Sequence, residues 1–126
     1  MHNVAGFDRL MALAPSPSNS ICFCQGSFAT MNIDIPATIR HFGSHILYVH
    51  FRDVRGTPQA FTETFHDNGP TDMAAAIKAY REIGFKGPIR PDHVPQPVGE
   101  DNGEPGYTML GRLFAFGYMR GLMHAT

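Results

Sequence analysis

Apolar positions recur along this chain in two rhythms, one of about 3.6 residues and one of two, which mark helices and strands. Phe7, Leu10, Met11 and Leu13 share a helical face and predict a short helix over Phe7–Ala14, broken by Pro15-Ser16-Pro17-Ser18. Ile21–Cys24 reads as a strand, followed by a turn at Gln25-Gly26-Ser27. Ile35–Phe42 reads as a helix with Asp34 as N-cap, Pro36 in its first turn and Gly43 as its stop. His45–Val54 is the second expected strand. A long polar connection, Arg55–Gly69, has room for a short strand at Ala60–Glu63. Thr71-Asp72 caps a helix over Met73–Phe85, with Met73, Ile77, Tyr80 and Ile83 on one face and Gly84 near its end. Pro88–Asp92 is the third expected strand, Val94–Gly106 a loop, and Tyr107–His124 a closing apolar helix. That helix carries Met109, Leu110, Leu113, Phe114, Phe116, Met119, Leu122 and Met123, an apolar set expected in the core or at an interface.

Helix-strand alternation of this kind is the signature of parallel βαβ units. Side chains alternate along a strand, so Ile21 and Phe23 oppose Cys22 and Cys24. Likewise Leu47, Val49 and Phe51 oppose Tyr48, His50 and Arg52, and Ile89 and Pro91 oppose Arg90 and Asp92. Each strand thus has one apolar face and one face rich in polar or sulfur groups. A doubly wound sheet buried on both sides rarely tolerates the second face. The interior of a (β/α) barrel does, because it opens into a site at the C-terminal strand ends. The fold class expected is therefore α/β, as part of a barrel. Eight units take about 250 residues; these 126 residues supply three recognisable strands.

Composition narrows the function classes. A net charge of -1, with Lys and Arg scattered, gives no reason to expect nucleic acid or an anionic membrane surface. No run of about 20 apolar residues exists, so a membrane span is not expected. Met1-His2-Asn3-Val4 lacks the charged-then-apolar layout of a signal peptide, leaving the cytoplasm as the default compartment. No Gly-rich phosphate loop precedes any helix. Cys22 and Cys24 lie too close along one strand for a good disulfide, so both are expected as free thiols. The stretches Cys22-Phe23-Cys24, Tyr48-Val49-His50-Phe51-Arg52 and Arg90-Pro91-Asp92-His93 each end a strand with metal-capable side chains. Three such ends on one sheet point to a single site.

Ile21-Cys22-Phe23-Cys24-Gln25-Gly26-Ser27, Tyr48-Val49-His50-Phe51-Arg52-Asp53-Val54, Glu63-Thr64-Phe65-His66 and Arg90-Pro91-Asp92-His93 resemble, in order, motifs of the mannonate dehydratases. Pro105-Gly106-Tyr107-Thr108-Met109-Leu110-Gly111-Arg112-Leu113 and Met119-Arg120-Gly121 resemble that family's last helix. The resemblance runs from Phe7 onward and covers the C-terminal part of the family's length. It implies the C-terminal strands and helices of a (β/α)8 TIM barrel, similar to the xylose isomerases. It also implies dehydration of D-mannonate to 2-keto-3-deoxy-D-gluconate with Mn²⁺ or Fe²⁺, within glucuronate catabolism. By the same resemblance Cys24, His50 and Asp92 are metal ligands, His93 and Tyr107 the acid/base pair, and Arg52 and His66 lie near the substrate. The chemistry is coherent. Abstracting a proton beside a carboxylate builds an enediolate whose charge a divalent ion stabilises, and a Tyr or His delivers a proton to the departing C3 hydroxyl. Where the family continues its Asp-His with Gly and a second His, this chain has Val94-Pro95.

Plainer roles stand beside these. Cys22 reads as core packing, His66 in its polar loop as solvated, and Arg40, Lys78 and Arg81 as solvated helix faces. Three readings of the whole remain open: a metal-dependent lyase segment, an inactive remnant, and an assembly module. In the last, exposed sheet edges and the final helix drive self-association or pairing with a complementary barrel half.

Overall fold

The structure, a computed structural model, describes residues 3–126; Met1 and His2, half of the N-terminal stretch weighed above, lie outside them. Helix α1 (Val4–Leu13) begins earlier than its apolar pattern, because Asn3 caps it by accepting from the Gly6 amide at 2.8 Å. Strand β1 (Ile21–Cys24) falls where expected. The turn expected after it is instead a short helix, α2 (Gln25–Ala29). Tertiary packing decides this, since Phe28 stacks on Phe23 with ring centroids 4.3 Å apart and meets Phe7 at 4.8 Å. Helix α3 (Ile35–Phe42) is capped by Asp34, which accepts from the Ala37 amide at 2.8 Å.

The second strand is shorter than its apolar run. His45 belongs to a 3-10 turn over Gly43–His45, β2 covers Ile46–His50, and the chain leaves the sheet at Phe51. Val54 opens an antiparallel hairpin of β3 (Val54–Thr57) and β4 (Ala60–Glu63). The break lies at Asp53, wholly buried, whose carboxylate accepts from the Val54 amide and from the amide and hydroxyl of Thr71 at 2.7–2.9 Å. A Cβ on Gly69 would lie 2.1 Å from this carboxylate, so only glycine lets the loop come so close. Leu47 also departs from its expected apolar face. The β1–β2 pairing slips between Ile21↔Ile46 and Cys22↔Tyr48, leaving Leu47 in a bulge, exposed, with Ile46 buried in its place.

Helix α4 (Met73–Glu82) ends before Phe85 because Gly84, at φ +69°, turns the chain. The Gly84 amide donates to Arg81, the Phe85 amide to Tyr80, and the Phe85 and Tyr80 rings meet at 5.6 Å. This is a Schellman end with its apolar clasp. Strand β5 is Ile89–Arg90 alone, tied to β2 through the Val49 and Phe51 amides. The closing helix α5 (Met109–Ala125) starts after Thr108. It docks through Gly111, Ala115 and Met119, a seam of mostly small residues. Met109, Leu110, Leu113, Phe114 and Phe116 remain exposed.

The result is a parallel sheet in the order β1-β2-β5. Phe23, Val49 and Phe51 on its apolar side pack into a core with Ile39, Phe42, Ala76, Ile77, Ala79 and Tyr80 of α3 and α4. The other side, with Cys22, Cys24 and His50, bears the polar groups. No helix among the described residues is long and apolar enough to cross a membrane.

Candidate metal and proton-transfer site

Strand register assembles the site. Cys24 pairs with His50, and His50 with Arg90, so three strand ends lie side by side. One ligand atom each from Cys24, His50 and Asp92 lie within 4.8 Å of one another, with His50 Nδ1 3.5 Å from Asp92 Oδ2. Asp92 does not arrive there by strand alternation. Beyond Arg90 the strand has ended, and Asp92 takes a left-handed backbone at φ +61° that carries its carboxylate inward, where it is buried. The residue is the expected one, for a different reason. Burial lowers the pKa of His50, against the pull of Asp92, and so favours the neutral imidazole that can ligate a metal.

Arg52 is buried among these groups. Its Nε lies 2.9 Å from Asp92 Oδ2, its Nη2 3.5 Å from Cys24 Sγ, and its Nη1 2.8 and 3.0 Å from the two oxygens of Glu63. Burial works against its charge, but Cys24, Glu63 and Asp92 outweigh that and raise its pKa above the ordinary arginine value. Gly26 makes room for it, since a Cβ there would stand 2.6 Å from Arg52 Nη1.

At the rim, His93 Nε2 and the Tyr107 hydroxyl are 2.7 Å apart, with the rings edge to face. Arg90 reaches over the Tyr107 ring at 5.8 Å and places Nη2 3.3 Å from Asp92 Oδ1. Cys22 is on the open polar face and exposed rather than packed in the core, because no helix among the described residues covers that side of the sheet; its Sγ is 3.7 Å from His50 Nε2. Burial, then neighbouring Cys24, raises its pKa.

His66 stands apart. It is wholly buried rather than solvated, with Nε2 2.9 Å from the Pro91 carbonyl, and its ring packs toward Phe51. It therefore touches the turn that carries Asp92 and not the open face. Glu63 is not among the site residues that the sequence predicts, although it lies at the end of the expected strand Ala60–Glu63. It bridges Arg52 and His93, with Oε1 3.3 Å from His93 Nδ1. A carboxylate ending a strand is the signal that singled out Asp92, and it applied equally to Glu63.

The sequence profile of the D-mannonate dehydratase (UxuA) family matches residues 1–126. Mannonate dehydratase 2 of Halalkalibacterium halodurans is 40% identical over 98% of this chain, which spans 37% of that protein. The mannonate dehydratase of Enterococcus faecalis is 38% identical over 98% of the chain, which spans 36% of it. The crystal structure of mannonate dehydratase from Streptococcus suis serotype 2 superposes with a TM-score of 0.89 at 30% identity, covering 98% of this chain and 37% of that one. The chain thus spans little more than a third of the length of these relatives.

Proposed function

The chain belongs to the D-mannonate dehydratase (UxuA) family, and on that premise we propose that it carries the metal-binding and proton-transfer part of a hydro-lyase acting on D-mannonate. In this reading its strands and helices form part of a (β/α)8 barrel. The observation that carries the proposal is the convergence of Cys24, His50 and Asp92 within 4.8 Å, beside the His93–Tyr107 pair. One sulfur, one nitrogen and one carboxylate oxygen form a donor set that suits Fe²⁺, Mn²⁺ or Zn²⁺, of which the family resemblance favours Mn²⁺ or Fe²⁺, and three protein ligands leave positions for substrate oxygens. When bound, the ion supplies Lewis-acid polarisation of the substrate carboxylate.

The remaining work falls to side chains. Arg52 keeps a positive charge beside Cys24 and Asp92 and so favours the anionic forms that ligate a metal. His93 and Tyr107 hold a proton between Nε2 and the hydroxyl, within reach of a substrate carbon or departing hydroxyl at the open face. His66 holds the Pro91 carbonyl and with it the turn that presents Asp92. The exposed apolar residues of α5 are the surface that the remainder of the barrel, or a second copy, covers.

The test has two arms. Loaded anaerobically with Mn²⁺ or Fe²⁺, the chain is expected to retain metal, and Cys24→Ala to weaken binding by roughly 10-fold or more. Equal metal content in both overturns the ligand assignment. The chain is then joined to the family's remaining length and assayed with D-mannonate. Metal binding without any turnover favours the inactive alternative.

A further inference from the structure

Among the described residues Glu63 is the carboxylate within 3.5 Å of both Arg52 and His93, and nothing in the proposed chemistry yet uses it. A carboxylate offers only acceptors, and Arg52 Nη1 already donates to both of its oxygens. The contact of 3.3 Å between Glu63 Oε1 and His93 Nδ1 is therefore a hydrogen bond only if Nδ1 carries the proton. In a neutral ring that leaves Nε2 bare. The group facing Nε2 is the Tyr107 hydroxyl at 2.7 Å, which then has to be the donor. Asp92 Oδ1 does not compete, since at 4.0 Å from Nε2 it lies beyond hydrogen-bond length. The direction of every hydrogen bond in the row Arg52–Glu63–His93–Tyr107 follows from the one group that cannot donate.

We propose that Glu63 is a positioning residue that fixes His93 as its Nδ1-protonated tautomer and thereby commits the Tyr107 proton toward His93 Nε2. Arg52 supplies the anchor: a two-oxygen grip by a buried guanidinium holds the carboxylate, and the carboxylate holds the ring. The tyrosine oxygen keeps its lone pairs for a reacting group at the open face. The same Arg52 contacts Asp92 and Cys24, so one cation sets the geometry of the proposed ligands and of the proton-transfer pair. The relevance to catalysis rests on the dehydratase reading; the tautomer does not.

The test uses the chain itself, isotope-labelled in its histidine rings and kept mildly alkaline so that imidazoles are neutral. Long-range proton–nitrogen correlation spectra report which ring nitrogen bears the proton, and His93→Gln identifies the signals. The expected result is a proton on His93 Nδ1 in the unsubstituted chain and its redistribution toward Nε2 in Glu63→Ala. A proton on Nε2 in the unsubstituted chain overturns the proposal, as does an unchanged tautomer in a folded Glu63→Ala. If Glu63→Ala fails to fold, the spectrum of the unsubstituted chain decides alone. These readouts need neither substrate nor metal, so their failure is separable from an absence of turnover.

Discussion

Arg52 meets three groups that carry or can carry negative charge, and its position depends on a hydrogen atom at Gly26, just past the neighbouring strand. Gly26 has no Cβ, and the space a Cβ would take is filled by the Arg52 guanidinium. Gly26→Ala forces that guanidinium to shift, and with it the contacts to Cys24 and Asp92. Metal affinity in a titration of the chain is expected to fall roughly 10-fold or more, as for loss of other outer partners of metal ligands. Unchanged affinity would show that Arg52 and the ligands are not coupled. His66 gives a second residue-scale expectation. Burial lowers its pKa against the Pro91 hydrogen bond, while the unfolded chain titrates near the ordinary value of about 6.5. Above that pH both states are neutral and stability is full. Below it the unfolded chain binds the proton first, so stability falls as pH drops toward the lower folded value. Urea midpoints measured from neutral to mildly acid pH should show this fall, and His66→Gln should reduce it; an identical slope in the variant would remove His66 from the account.

Elements whose ends are set by neighbours in sequence were legible in advance. Asp34 and Asp72 cap their helices as their types predict, each accepting an amide at 2.8 Å. Gly84 ends α4, and its left-handed φ is the reason. A Cβ there meets nothing within 4 Å, so Gly84→Ala isolates the backbone cost, about 1–2 kcal/mol, and should lower the urea midpoint without altering metal content. An unchanged midpoint would mean that the α4 end relaxes freely. Elements set by distant contacts were not legible. Helix α2 depends on Phe28 finding Phe23, the end of β2 on Asp53 finding Thr71 eighteen positions on, and the Leu47 bulge on the neighbouring strand. The site divides in the same way. Cys24 and His50 followed from strand period and register. Glu63 did not, because its meaning lies in partners 11 and 30 positions away.

At the scale of the molecule, the chain spans little more than a third of its relatives' length and exposes a row of apolar side chains on α5. Leu113→Glu in the middle of that face is expected to shift the chain toward monomer in sedimentation at high concentration, with metal binding retained. A chain already monomeric at all concentrations would count against the face as an association surface. The sheet has a consequence of its own. Among the described residues its two outer strands are unequal, four residues in β1 and two in β5. Joining a complementary segment depends on the concentrations of both species, whereas self-addition rises with the square of this chain's own concentration. The longer border of β1 offers more backbone groups to a newcomer, so unwanted growth would start there and run in one direction. Dilution with excess complement would then steer the outcome as strongly as any substitution.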